Sequence, residues 1–471
     1  MKRALLPLLM TLSMTACVSE PVKVAAPDIV PFVFSLTAFI PDTCDKAADF
    51  EHSHVRSDWA NTFPDPDLQR LIARSLINNL DIDRVRYQYY QVETDVRVKR
   101  ANEGPVIDLS ALAEKRVTKT PAGRRVQSSS FGVGLDLNYD LDLWGNLDLT
   151  TKSALYDLEI ASQIIRATEL DVAGTITSLW YQAAEQQQLI VAMNKHVDTA
   201  HVSLRLYAER AQKGMGNSID VTKQAQIVAA LRADKLLMQE RLELIRHELA
   251  TLSFQPIHTF VLPEKIALPT LTSPRMIAPE AILLSRPDLV ASHYQLEQAN
   301  VHVSQATAQS MPQFNLSASL TSSSSIASGL LSGWAASIVA SVVAPIFDGG
   351  ENQAKVDKQH FLAEEMAVNY ARSVLVAVNE IEDAMTQIYY RSERFNKKGA
   401  ELNSANNVIA KLKLRESMGV DNAFARLREQ SRYHNVEQET VRAKFDIVYA
   451  NILLLKSLGG STQQKKPVPT M

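Results

Sequence analysis

Cys17 carries the clearest chemistry in this chain. It closes Met14-Thr15-Ala16-Cys17, where small residues lead to a thiol, behind a positive start at Lys2 and Arg3 and the short apolar run Ala4 to Met14. That order reads as a secretory address rather than as structure, and the run is too short to span a bilayer permanently. A thiol so placed is a substrate for diacylglycerol transfer, after which residues 1–16 are removed as a lipoprotein signal; Met14 stands where leucine is commoner. Val18, not Asp, follows the cysteine, so the inner-membrane retention signal is absent and the outer membrane is the expected destination. With Cys17 lipidated, Cys44 has no partner for an intrachain disulfide and is expected to be a shielded small residue.

Other reactive residue types form no machine. His52-x-His54, near Cys44, has a spacing that can hold a metal, but it lies in an irregular stretch where a solvated pair is the expectation, so no metal site is predicted. No phosphate loop, nucleophile elbow or paired zinc-ligand spacing occurs, and no enzymatic activity is expected. The balance of 49 basic and 52 acidic residues gives no electrostatic reason to expect nucleic acid.

The elements around these residues are more informative. A length of 471 residues allows two or three domains. No apolar run of about 18 residues follows the signal, so any membrane crossing must be made by strands. Only 16 glycines, among stretches rich in Gln, Ala, Leu and charged residues, point to long helices.

The sequence is also written twice. Asn79-Leu80-Asp81-Ile82 lies over Arg286-Pro287-Asp288-Leu289, Pro105 over Pro312, and Leu109-Ser110-Ala111 over Leu316-Ser317-Ala318. With a small slip, Leu143-Trp144-Gly145 matches Ile346-Phe347-Asp348-Gly349-Gly350, and Lys213-Gly214-Met215 matches Met418-Gly419-Val420. The expected organisation is an irregular segment at 17–63, a first repeat at 64–254, a Pro-rich connector at 255–284, a second repeat at 285–458 and a tail at 459–471.

Each repeat reads as helix, two strands, a very long helix, a break and a return helix. A helical pattern runs from about Asp67 to Asn102, with Leu68, Leu71, Ile72, Leu76, Leu80 and Val85 as its apolar stripe. Strands are expected at 106–117, 131–143, 313–321 and 334–347, with polar turns from Thr118 to Ser130 and Thr321 to Gly333. From Phe131 to Leu143 apolar residues alternate with acidic, Asn or Gly residues without exception. A soluble one-sided sheet alternates too, but at ~3.3 Å per residue this strand extends roughly 40 Å, enough to cross a bilayer core at a tilt. Residues 146–212 and 351–417 contain no proline and predict rods about 100 Å long at ~1.5 Å per residue, followed by return helices at 218–254 and 422–458. Such rods pack along one another as coiled coils or as a helical cylinder. Four strands cannot close a barrel, since about eight is the minimum, and open edges do not survive in lipid. The predicted fold is therefore an α+β membrane protein that must oligomerise; three copies, each giving four strands, would supply a twelve-stranded β-barrel continued by an α-helical barrel. A soluble periplasmic coiled-coil lipoprotein is the rival reading.

Specific residues carry a family likeness. Trp59, Phe63, Asp65-Pro66, Leu68, Leu71-Ile72 and Asn79-Leu80-Asp81-Ile82 resemble the opening signature of the TolC-like outer-membrane factors, in particular the lipidated NodT and OprM group. Leu141-Asp142-Leu143-Trp144-Gly145 and Pro345-Ile346-Phe347-Asp348-Gly349-Gly350 resemble its strand-to-helix junctions. Gly419-Val420-Asp421-Asn422 and Leu454-Leu455-Lys456-Ser457-Leu458-Gly459-Gly460 resemble its last helix. The resemblance implies a homotrimeric efflux channel, lipid-anchored in the outer membrane and extending into the periplasm. Its implied partners are a periplasmic membrane-fusion adaptor and an inner-membrane pump of the resistance-nodulation-division, major-facilitator or ABC type. A duct for protein secretion shares the fold. The turns Lys213-Gly214-Met215 and Met418-Gly419-Val420 are the implied adaptor contacts, although a helix reversal needs glycine in any case. Relatives narrow the periplasmic mouth with an apolar and an acidic ring; here the apolar position is Phe424, while the acidic ones fall on Ala425 and Arg428. Asp421 and Asp220 lie nearby and would restore negative charge, but a bridge between these two acids is excluded.

Overall fold

The structure, a computed structural model, describes residues 63–460 except 120, 122 and 271–284. Cys17, Cys44 and His52-x-His54 lie outside the described residues. The elements in chain order are α1 (Pro66–Asn78), α2 (Leu80–Ala101), β1 (Val106–Lys119), β2 (Arg125–Leu141), α3 (Asn146–Gln212), α4 (Ser218–Leu252), α5 (Pro287–Gln309), β3 (Gln313–Ser324), β4 (Ala335–Val343), α6 (Glu351–Ser417) and α7 (Ala423–Ser457). They divide into two compact units. One comprises Lys99–Ser153 and Glu297–Ala367; the other comprises the described parts of Pro27–Val98, Ala154–Leu296 and Val368–Met471.

The first unit is built on one antiparallel sheet in the order β1-β2-β3-β4. Its strands outrun or fall short of the alternating patterns for backbone reasons. β2 starts at Arg125 because Gln127 to Ser130 keep pairing with Glu114 to Val117, polarity being no obstacle to a ladder whose side chains are exposed. β4 stops at Val343, two residues before Pro345, which has no N–H to give a ladder. Each pair of strands leads into a 67-residue helix through the same device. Asp142 Oδ2 accepts from Leu147 N (2.8 Å) and Asp148 N (3.0 Å) across Gly145, whose φ is 74°. Asp348 accepts from Gly350 N (2.9 Å) and Asn352 N (3.0 Å) across the left-handed Gly349 and Gly350. An acid thus caps orphan amides at a helix start, and these bonds hold the Asp348 carboxyl below its ordinary range. Trp144 Nε1 donates to Pro312 O at 2.7 Å, tying this junction to the foot of β3.

The second unit holds the main core, where Phe63, Leu68, Ile82, Trp180, Tyr181, Leu249, Val448 and Ile452 pack together. Asp65 caps α1 by accepting from Asp67 N (3.0 Å) and Leu68 N (3.3 Å), and its other oxygen receives Trp180 Nε1 at 2.9 Å. The helical stripe expected as one element breaks at Asn79, which takes an extended backbone at the end of α1. Its side chain then accepts from Asp81 N and Ile82 N to start α2, and donates to Leu252 O at 3.1 Å. In the second repeat Arg286 takes the matching place and donates to Ser457 O at 3.0 Å while pairing with Asp288 and Glu380.

Candidate functional site

Two places in this fold bear on function: the faces of the sheet and the turns that join each long helix to its return helix.

The registers sort the strand side chains into two opposed faces. One row runs Leu109, Leu135, Leu320, Ala336, the next Ile107, Leu137, Ala318, Ile338, and beyond them Tyr139, Leu316, Ala340 and Leu141, Phe314, Val342. The other face is mainly polar, carrying Asp108, Asp136, Ser319, Ser337, then Ser110, Gly134, Thr321, Ala335, and Asp140, Asn315, Ser341, with Val106, Leu112, Val339 and Val343 as its apolar members. Bonds within it are polar: Asn315 Nδ2 donates to Asp140 Oδ1 at 2.8 Å, and the Ser319 and Ser337 hydroxyls meet at 2.8 Å. Among the described residues nothing covers the outer strands of the apolar face, with Leu109 73% and Ile338 79% exposed. Burying that face contributes about 25 cal/mol per Å², so a bilayer is a better solvent for it than water. Among the described residues the outer edges of β1 and β4 have no strand neighbour. At nine residues β4 is about as short as a membrane-crossing strand can be.

Both helical turns use one backbone design. In the first, Met215 N donates to Arg210 O (2.9 Å) and Gly214 N to Ala211 O (3.1 Å), with Gly214 at φ 71°. In the second, Val420 N donates to Arg415 O (2.9 Å) and Gly419 N to Glu416 O (3.1 Å), with Gly419 at φ 72°. This is the Schellman pattern, which needs a left-handed residue that glycine supplies without steric cost. Asn217 then caps α4 through Ile219 N (2.9 Å), and Asn422 caps α7 through Ala425 N (3.2 Å). Lys213, Met215, Met418 and Val420 are exposed at these turns.

The mouth candidates are not grouped as one ring of like side chains. Phe424 is half-buried; its ring lies 4.5 Å from that of Tyr207, and the Arg210 guanidinium stands 5.4 Å over it. This contact joins the two hairpins. Asp421 pairs with Arg415 across the second turn. Arg428 and Asp220 are exposed, and neither forms an ion pair among the described residues. Arg415, Glu416, Arg426, Tyr207 and Arg210 escaped sequence reasoning. Arg426 Nε donates to Glu416 Oε2 at 2.5 Å and holds that carboxyl below its usual range. The available signal was opposite charges six and ten residues apart around a glycine. Farther along the hairpins, Lys195 Nζ reaches Glu437 at 2.8 Å and His434 Nδ1 lies 3.2 Å from the same carboxylate. His196 stacks on His434 with ring centroids 5.6 Å apart, and its burial pushes its pKa down.

Comparison with known proteins follows the same architecture. The sequence matches the family described as "Outer membrane efflux protein" twice, over residues 71–253 and 278–460. It is 26% identical over 421 residues to the pyoverdine export outer membrane protein OpmQ of Pseudomonas aeruginosa, covering 87% of this chain and 88% of that one. It is 24% identical to the solvent efflux pump outer membrane protein SrpC of Pseudomonas putida, covering 84% and 86%. Among solved structures, the outer-membrane channel OprN superposes with a TM-score of 0.79 at 22% identity, over 87% of this chain and 94% of that one. The Campylobacter jejuni CmeC outer membrane channel gives 0.77 at 20% identity, over 87% and 89%.

Proposed function

The chain belongs to the outer membrane efflux protein family, and on that premise we propose that three copies assemble into the passive exit duct of a tripartite efflux system. The observation that carries this reading is the sheet: four strands, apolar on one face and mainly polar on the other, with two outer edges lacking a strand neighbour among the described residues. Those edges are satisfied in lipid only if neighbouring copies pair with them, closing a barrel of twelve strands whose polar face lines the bore. In this reading the energy comes from an inner-membrane pump joined through a periplasmic adaptor. Relatives named for export of pyoverdine and solvents support small organic cargo, whose selection belongs to the pump.

Planar-bilayer recording tests the duct. The full-length protein, extracted in detergent, should conduct ions as a trimer; a water-soluble monomer that passes no current would reject the reading.

The anchor is the diacylglyceryl thioether on Cys17, supported by the run Met14-Thr15-Ala16-Cys17. Mass spectrometry of the mature amino terminus should find it, and Cys17→Ser should abolish it. At the periplasmic mouth, Phe424 provides the apolar constriction, held by Tyr207 and Arg210. Asp421 is already paired with Arg415, so its charge is neutralised locally. Single-channel conductance of Phe424→Ala should rise; an unchanged small conductance would remove Phe424 from the gate.

A further inference from the structure

The two strand hairpins end differently. β1 and β2 stay paired as far as Lys119 and Arg125, whereas β3 ends at Ser324, opposite Phe131. The first hairpin therefore runs on beyond the second, at the end of the sheet away from the helices. Residues 114–130 of this extension hold five Lys or Arg against one Glu. Register sorts the charges by face. The last apolar row pairs Ala113 with Phe131; on the same side the next rows are Lys115 with Ser129, Val117 with Gln127, and Lys119 with Arg125. Lys115, Lys119 and Arg125 are exposed. On the opposite side Arg116 lies 2.7 Å from the Glu114 carboxylate. The side that continues the polar face thus balances its own charge, and the side that continues the apolar face carries cations alone.

These cations begin where the core of a bilayer ends. From the Leu141 row to the Phe131 row β2 rises about 34 Å at ~3.4 Å per residue, or about 25 Å across a membrane at a tilt of ~40°, the height of an apolar band. Phe131 and the exposed Trp334 stand at that boundary, where aromatic side chains sit in membrane proteins. Lys119 and Arg125 are direct cross-strand partners on one face. Like charges so placed destabilise a ladder, and an anion between them relieves the repulsion. Closing a barrel adds a strand at each edge but covers no outward side chain. The tip of the second hairpin, Thr321 to Gly333, comes to lie beside β1 of the next copy and contains no acidic residue. On this face the assembly's own hairpins supply no counter-charge.

We propose that Lys115, Lys119 and Arg125 bind the phosphates of a glycolipid headgroup in the outer leaflet. The proposal rests on the exit-duct reading, in which the apolar face meets lipid. Lys115 stands about 13 Å along the strand from Lys119, a spacing suited to a disaccharide phosphorylated at both ends. The planar fork of Arg125 can take one phosphate through two hydrogen bonds. Each cation beside an anionic lipid surface adds about fivefold to binding. An anion travelling through the bore meets the other face, where Arg116 is already held by Glu114.

The test titrates the full-length protein, in non-ionic detergent micelles with EDTA, with bisphosphorylated lipid A and with the same lipid stripped of both phosphates. The phosphorylated lipid should bind about 10-fold more tightly at about 50 mM salt. The variant K115Q/K119Q/R125Q should bring the two lipids level, and Lys119→Gln alone should narrow the gap by an intermediate factor. The pair E114Q/R116Q, on the bore side, should leave the gap intact. Equal binding of both lipids to the wild type, a gap that survives the triple variant, or an equal loss in E114Q/R116Q overturns the proposal. Abolition of lipid binding by excess inorganic pyrophosphate also overturns it and assigns the cations to a soluble anion. Conductance recorded on the same preparation tests the duct separately: a conducting trimer that does not distinguish the two lipids sinks only this inference.

Discussion

The two hairpin turns share a backbone and differ in how side chains secure it. Both reverse through a left-handed glycine and restart at an asparagine cap, with matching hydrogen bonds equal to within a few tenths of an ångström. Only the second adds ion pairs, Arg415 with Asp421 and Glu416 with Arg426. At the corresponding places the first has Arg210, Gly216, Ala211 and Val221. Its arginine, lacking a carboxylate opposite, bonds Met215 O at 3.2 Å and covers Phe424 of the other hairpin. A side chain at Gly216 would begin 3.1 Å from Ala211 N, so the first turn is also closed more tightly. Duplication kept the reversal, which backbone geometry imposes, and released the side chains to divide labour: the second turn locks itself, and the first holds on to the second.

The largest effect should come from attacking what the turns have in common. Gly214→Ala or Gly419→Ala places a Cβ in a left-handed conformation at a cost of about 1–2 kcal/mol. Amide exchange should accelerate equally at either turn. A much smaller loss for Gly419→Ala would mean that the ion pairs, not the backbone, hold the second turn. Next, Phe424→Ala removes the shared contact and should loosen both turns together, by about 1 kcal/mol from the aromatic and cation–π terms. Loosening of one turn alone would break the idea that the first holds the second.

Arg426→Ala should act on the second turn only, and by no more than about 1 kcal/mol because the pair is partly solvated. Acidification sharpens the same distinction. Arg426 depresses the Glu416 pKa, so this carboxylate's stabilisation is complete above the ordinary glutamate value of 4.5 and is lost as pH falls through the lower folded value. Spin labels at Ser417 should therefore gain mobility in that window, while labels at Gln212 should change less. Equal gains would show that the second turn's ion pairs do not distinguish it.

Much of this architecture was readable because it depends on period and punctuation. Alternation from Phe131 to Leu143 assigned the strand faces, and the proline-free runs from Asn146 and Glu351 gave both long helices. The break at Asn79 was hidden because the apolar stripe continues on both sides of it; only the asparagine's capping chemistry marked the place. Pairing of Arg415 with Asp421 depends on how a turn aims two side chains, which spacing does not encode. Phe424 was legible as an apolar residue after the turn, but its stacking on Tyr207 joins residues more than two hundred positions apart.

The outer edges of β1 and β4 also set a timetable for biogenesis. A newly exported protomer carries unpaired ladder groups beside an apolar face, and in hydrocarbon each unpaired group costs several kcal/mol. Insertion must therefore wait for companions, which makes its rate depend on subunit concentration and calls for escort across the periplasm. Genetics inherits the same constraint: in the proposed trimer, when half the subunits carry a defective edge, only about one assembly in eight is free of them, so such alleles should be dominant over the wild type.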